Sequence, residues 1–320
     1  MQHVPANCNC CAVGCYSKRR CLLSAMSTRT LRHALVGYAF LLPSLAGFAL
    51  FTLGPIVFSL LLSFFHWNLF SRPIFVDMAN YLRKFADPSS KFWDYTVNSL
   101  FFLLVVPFQM GLALLSAYLL EQRLRGTFAF KVVFFLPVVL SAVPVAIIWE
   151  YILNTEHGLL NVALGQLGIP SIPWLYHSGW IKPGISLMVI WQGAAFSTII
   201  YYAALQGIPS HLYEVATLDG AGAWRQFWSI TMPLLGPTHL FLGVTGVIAA
   251  LQLFAPIYVM THGTAGGAHN LLIEVYWTAY HRFDMGYASA LSWVLFLMIF
   301  GLSFLYWKSF GHHAGEHAAP

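Results

Sequence analysis

Six stretches of the chain stay apolar for long enough to cross a bilayer, and mixed polar segments separate them. The runs are about Ala34–Phe65, Val97–Leu120, Phe128–Ile152, Gly184–Leu205, Leu234–Met260 and Tyr287–Tyr306. A helix rises about 1.5 Å per residue and the hydrocarbon core is about 30 Å thick, so about 20 apolar residues suffice. Lipid offers backbone amides no partner, which makes each run helical. The pattern predicts an all-α, polytopic membrane protein with about six transmembrane helices. The first run carries no formal charge over its whole length and contains Pro43 and Pro55. It overshoots the hydrocarbon core, so it must tilt, kink near Gly54-Pro55 or protrude.

The polar segments set the topology. With the N-terminus inside, Lys18, Arg19, Arg20, Arg29, Arg32, Arg123, Arg125, Lys131, Arg225 and Lys308 fall inside. Arg72, Arg83, Lys84, Lys91, Lys182 and Arg282 fall outside. Ten against six favours cytoplasmic N- and C-termini. Without the residues before Met26 the excess shrinks to seven against six, and the identity of the segment at 213–237 then decides the orientation. This places a cytoplasmic tail at 1–33, a transmembrane domain at 34–307 and a second cytoplasmic tail at 308–320. The outer segments His66–Thr96 and Asn154–Pro183 are extended and rich in aromatic, Gly and Pro residues, as loops facing a partner would be.

Composition agrees with this picture. The chain is 58% hydrophobic and 8% charged, against about 25% charged in soluble domains. Its net charge of +5 is spread through the loops, which gives no nucleic-acid footprint. All five cysteines (Cys8, Cys10, Cys11, Cys15, Cys21) lie in the first 21 residues, an odd set that makes a poor disulfide framework. Met26 opens a basic lead-in followed by an apolar run, so residues 1–25 are expected to precede the natural start.

The segment Tyr213–Pro237, YEVATLDGAGAWRQFWSITMPLLGP, is a mixed stretch between two long apolar runs. Pro209 and Ser210 offer a helix start, with the serine as cap, and Glu214 on the first turn. Asp219-Gly220 supplies the break, since glycine accepts the left-handed conformation that ends a helix. A second short helix is expected over Trp224–Ile230, halted at Met232-Pro233 because the residue before proline avoids helical dihedrals. Trp224, Phe227, Trp228 and Ile230 give this knob more apolar surface than a solvated linker needs, which suggests an interface.

The segment resembles the EAA loop of ABC importer permeases, a pattern close to E-A-A-x-x-D-G-A followed by a Phe and by I-x-x-P. Glu214, Ala216, Asp219, Gly220, Ala221, Phe227, Ile230 and Pro233 match it in register; Val215 stands where Ala is usual. From about Val36 onward the chain resembles the sugar-transport permeases of the maltose-permease type, specifically the first of two unlike membrane subunits. Asn80-Tyr81, Phe134-Phe135-Leu136-Pro137, Gly158-Leu159-Leu160-Asn161, Trp191-Gln192-Gly193 and Asp284-Met285-Gly286-Tyr287-Ala288 support it, in order. After Thr261 the family's Gly-Gly-Pro turn is replaced by His262-Gly263-Thr264-Ala265-Gly266-Gly267-Ala268. The resemblance implies an inner-membrane importer subunit that seats its loop in a cleft of an ATPase. The partners implied are a second homologous permease, two ATP-binding subunits, a periplasmic or extracellular solute-binding protein, and membrane lipid.

The chain's own chemistry is sparse. It holds no G-x-x-x-x-G-K-[ST] phosphate loop, so ATP hydrolysis is expected to be borrowed rather than catalysed. No cofactor and no metal are expected; His312, His313 and His317 fall in a tail. Glu150 and Glu274, beside apolar runs, are the carboxylates a rival reading needs, a stand-alone ion-coupled secondary carrier, though their positions suggest interfacial placement. A third option, a membrane-embedded enzyme, lacks a catalytic cluster. Sugars present hydroxyls and C–H faces, so Trp191, Gln192, Gln252, Phe254 and Tyr258 are the candidates for a solute path, which the resemblance places on the same two helices.

Overall fold

The computed structural model describes residues 28–85, 91–122, 127–264 and 266–315. The cysteine-bearing tail, Arg123, Arg125 and His317 lie outside the described residues. The structure separates into one unit ending at Ser59 and another beginning at Leu60. In the first, α1 (Thr28–Phe48, with Pro43 inside) runs into a π-helical turn at Ala49–Leu53, followed by α2 (Gly54–Leu62), which reaches the second unit. The Gly54 N–H bonds the Ala49 carbonyl five residues back. Pro55 comes next, with no N–H to offer and a ring that crowds the preceding turn, so the widened turn sits where the sequence called for a kink.

The second unit begins with a small hairpin, β1 (Phe65–His66) antiparallel to β2 (Ile74–Phe75), then α3 (Ala79–Phe85). Next come α4 (Phe92–Phe101) and α5 (Val105–Glu121), joined by a 3-10 turn into one long rod. After these come α6 (Thr127–Val139), α7 (Ala142–Ile152), α8 (Leu159–Gln166) and α9 (Ile181–Gln206). Beyond the connecting segment 207–235 lie α13 (Gly236–Leu251), α14 (Ala255–Met260), α15 (Leu271–Tyr280) and α16 (Met285–Gly315); α10 to α12 belong to that segment and are described below.

Among the described residues five helices are long and apolar enough to cross a membrane: Val36–Leu62, Phe92–Glu121, Ile181–Gln206, Gly236–Met260 and Met285–Gly311. The expected run Phe128–Ile152 is instead two helices, α6 and α7, broken where Ser141 adopts extended dihedrals (φ −64°, ψ 148°). Pro144 falls in the first turn of α7, where a missing N–H costs nothing, and Pro137 lies near the end of α6. Apolarity alone did not reveal the break.

Small residues let the central helices approach. Ala113 and Ala117 of α5 pack with Ala194, Tyr201 and Leu205 of α9, the close backbone approach that membrane helices rely on. A second core joins Phe102, Val145, Ile185, Met188, Ile257 and Ile273. A third joins α13 to α16 through Val247, Leu251, Leu291 and Leu295. Asp284 caps α16 by accepting from the Tyr287 N–H, and β1 lies so close to Gly286 that a Cβ there would collide with the Phe65 carbonyl.

Where the backbone leaves the helices, asparagines complete its hydrogen bonds. Asn161 Nδ2 donates to the carbonyls of Asn154, Thr155 and Ile172, and its Oδ1 accepts from Ile172 N–H and Trp174 Nε1. Asn270 Oδ1 accepts from Ile273 N–H at the start of α15, and its Nδ2 donates to the Leu253 carbonyl in the gap between α13 and α14. Replacing Asn161 by Ala strands several buried groups at once, so we expect a loss of about 2–3 kcal/mol. Thermal unfolding in detergent measures it; a variant as stable as the parent would show that the clamp is idle.

Candidate functional site

After α9 the chain passes through Pro209, extended at φ −63° and ψ 128°, into α10 (Ser210–Leu218). Ser210 is the first helical residue and makes no capping bond, and Glu214 sits in the second turn. Both differ from the sequence expectation. Pro209, with φ fixed and its carbonyl accepting from Leu212 N–H, already defines the helix start.

The end of α10 is a Schellman turn. Gly220 N–H bonds the Thr217 carbonyl (3.0 Å) and Ala221 N–H bonds the Ala216 carbonyl (2.9 Å), while Gly220 adopts φ +77°. Open space surrounds Gly220, so backbone conformation and not room demands the glycine. The Gln226 side chain then ties the second half of the knob to the first, donating to Thr217 Oγ1 and to the Ala221 carbonyl, both at 2.9 Å.

That second half is α11 (Ala223–Gln226), a π-helical turn at Phe227–Thr231, and α12 (Met232–Leu234). The chain does not halt at Met232-Pro233 as expected. Met232 N–H bonds the Phe227 carbonyl five residues back, and the widened turn accommodates Pro233 as the earlier one accommodates Pro55. The direction changes at Leu235 instead (φ −81°, ψ 0°).

The two faces of the knob differ. Inward, Phe227 meets Tyr118 of α5 edge-to-face at 5.8 Å, and Tyr213 Oη pairs with Thr231 Oγ1 at 2.9 Å. Burial pushes the Tyr213 hydroxyl pKa up, the Thr231 bond opposing it. A cavity of about 230 Å³ lies here, with Tyr118, Glu121, Gln122, Tyr213 and Gln226 on its walls. Outward, His211, Glu214, Val215 and Leu218 repeat at helical spacing along one exposed face of α10. Leu218 is 88% exposed and Trp224 75%, and Trp224, Phe227 and Trp228 pack into one aromatic ridge. Of the eight singled-out positions, Glu214, Asp219 and Gly220 are exposed, while Ala216, Ala221, Phe227, Ile230 and Pro233 are half-buried beneath them. The sequence did not point to Thr217, Gln226, Tyr118 or Thr231, whose roles appear only once both halves are folded together.

The solute-path candidates fall into two groups. Phe254, beside the α13–α14 break, stacks on Tyr258 (5.3 Å, 15°), and Tyr276 of α15 closes on both at 5.0 and 5.3 Å. Trp191 of α9 instead pairs with Trp149 of α7 at 5.8 Å. Gln192 lies next to Trp191 on α9, and Gln252 is exposed in the break. Tyr276 and Trp149 were not anticipated.

Glu150 and Glu274, the two carboxylates singled out from the sequence, are each paired. Glu150 Oε1 lies 2.9 Å from His262 Nε2. Glu274 sits on α15, outside the five spans and almost fully buried, with Arg282 Nη1 at 2.7 Å and His269 Nε2 at 3.0 Å. Glu274 thus forms a buried ion pair that the sequence did not disclose. Burial raises its carboxyl pKa, but the bonds and charges of His269 and Arg282 outweigh this and hold it below the usual range.

Two outcomes follow. Gly220→Ala forces a side chain into left-handed dihedrals, at about 1 kcal/mol, and should speed hydrogen exchange across 210–226; unchanged exchange would mean the turn tolerates a Cβ. Glu274 binds its proton less tightly folded than unfolded. Its contribution to stability is thus complete above about pH 4.5 and lost as pH falls through the lower folded value. Melting from pH 7 to 3 should show a shallower acid decline for Glu274→Gln than for the parent; equal slopes would remove Glu274 from the account.

Comparison with known proteins meets this geometry. Residues 109–308, which include the knob, match the family described as binding-protein-dependent transport system inner membrane component. The lactose transport system permease protein LacF of Rhizobium radiobacter is 35% identical, over 84% of this chain and 92% of its own length. The trehalose/maltose transport system permease protein MalF of Thermococcus litoralis is 32% identical, over 87% of this chain and 94% of its own. In fold, the chain superposes with a TM-score of 0.77 and 22% identity on a chain of the crystal structure of a bacterial alginate ABC transporter in complex with an alginate-pentasaccharide-bound periplasmic protein, covering 90% of this chain and 98% of that one. The chain is thus a multi-pass inner-membrane protein that belongs to the family of binding-protein-dependent transport system inner membrane components.

Proposed function

We propose that the chain is the membrane-spanning permease subunit of an ATP-driven importer for a sugar or a related polyol or glycerol phosphate, and that it couples an ATPase to solute movement through residues 210–233. The observation that carries this reading is the exposed apolar surface of Leu218 and of the Trp224–Trp228 ridge, on a knob braced from within. A protein with 8% charged residues holding such a ridge outside its spans has a surface fit for docking. Relatives named for lactose and for trehalose/maltose transport support the solute class.

In this mechanism two ATP-binding subunits engage the complex from the cytoplasm, one of them gripping Glu214 and the ridge. A second homologous permease completes the membrane pathway, and a solute-binding protein delivers from outside. Both termini of this chain face the cytoplasm. Closure of the ATPase dimer moves the knob as a unit, because Gln226 joins its halves and Phe227 carries the motion to α5. The helices turn outward, solute enters past Trp191, Gln192, Gln252, Phe254 and Tyr258, and hydrolysis resets the inward state. The secondary-carrier alternative is not favoured, since Glu150 and Glu274 are both engaged in pairs.

Reconstitution with the ATP-binding, second permease and solute-binding subunits tests the reading. ATP-dependent uptake of labelled lactose or trehalose is expected, and Leu218→Asp with Trp224→Asp should lower it at least tenfold while the chain still inserts, a charge at each apolar contact costing about 1–3 kcal/mol. Uptake by this chain alone, driven by an ion gradient without ATP, would overturn it.

A further inference from the structure

The geometry points to Gln109 as a solute-contacting residue, a hydrogen-bonding group for a hydroxyl-bearing solute at the meeting of α5, α9 and α13; this rests on the importer reading above. Gln109 is the one polar side chain between Ser99 and Ser116 of its span. Its carboxamide lies between two glycines on facing helices. A Cβ at Gly193 of α9 would run into the carboxamide oxygen, and one at Gly246 of α13 would lie 3.4 Å from Nε2 and hard against Val106. Any larger residue at Gly193 would therefore displace the amide.

The carboxamide also borders a cavity of about 270 Å³ whose walls include Gly193, Ser197, Thr245, Gly246 and Leu253. Thr245 Oγ1 bonds back to its own helix. Among the described residues the Gln109 carboxamide makes no hydrogen bond. A carboxamide offers two donors and an acceptor, and on a half-buried residue at the cavity wall they are free for a partner that enters. The cavity volume, close to the about 300 Å³ lower end of small-molecule sites, suits one sugar ring. Gln192, chosen from sequence, precedes Gly193 on the same helix and so adjoins the wall.

The test uses the complete complex in lipid vesicles, with labelled lactose and trehalose as probes. Uptake by the unsubstituted complex reports on the importer reading by itself. Gln109→Leu keeps the bulk and removes the polar group; KM for the transported probe should rise about tenfold with kcat and Tm held, the loss expected for one hydrogen bond. Gly193→Ala should raise KM similarly, and the double variant no further. A KM unchanged by Gln109→Leu, or moving only in step with a falling Tm, would make Gln109 a packing residue and overturn the inference. A second readout is independent of the solute. In Gln109→Cys a water-soluble methanethiosulfonate should react at position 109, read by peptide mass apart from the tail cysteines. Failure to react would place the cavity off the aqueous path and overturn the inference as well.

Discussion

Lipid supplies no hydrogen bonds to a backbone, and this constraint governs the protein. Wherever the helical ladder stops, something in the chain must take over the orphaned groups. The widened turns ahead of Pro55 and Pro233 bond five residues back where the usual bond is lost. Asn270 takes up the Leu253 carbonyl where α13 gives way to α14. Asn161 gathers five bonds from the loop around it, residues 154–174, which would otherwise hold a tangle of unpaired amides. Two asparagines thus serve the breaks of a charge-poor chain, and the α13–α14 break lies beside residues that the proposed function uses.

In the knob between α9 and α13, packing braces such a break from within. Its inner face is tied down by the Tyr213–Thr231 pair and the Phe227–Tyr118 contact, and its two halves are stapled by Gln226. Its outer face leaves Leu218, Trp224 and Trp228 exposed. Rigidity within and apolar exposure without are what a lever for a partner needs. The helices behind it approach closely through alanines and glycines, so displacement at the knob meets a packed bundle rather than a compliant one.

How much of this the sequence disclosed depends on the range of the interaction. Spans were legible because length and apolarity are local. Asp219-Gly220 announced its turn, since a positive φ is a property of one residue. The break at Ser141 was hidden inside a uniformly apolar run, although Pro137 and Pro144 flank it. The pairing of Glu274 was hidden because its partners, five residues before and eight after, become neighbours only when α15 folds. The Thr217–Gln226 staple and the Tyr276 ring beside Phe254 and Tyr258 likewise depend on tertiary approach. The solute candidates were chosen by chemistry, and the fold stacks Phe254 on Tyr258 while it pairs Trp191 with Trp149, which no spacing rule foretold.

The central claim is that the exposed ridge is a docking surface for an ATP-binding subunit. A photo-reactive amino acid placed at Leu218, in native membranes that carry out transport, tests it most directly. The account predicts a cross-link to one ATP-binding protein whose yield changes with ATP. A product with lipid alone, or none in membranes that transport, would contradict it.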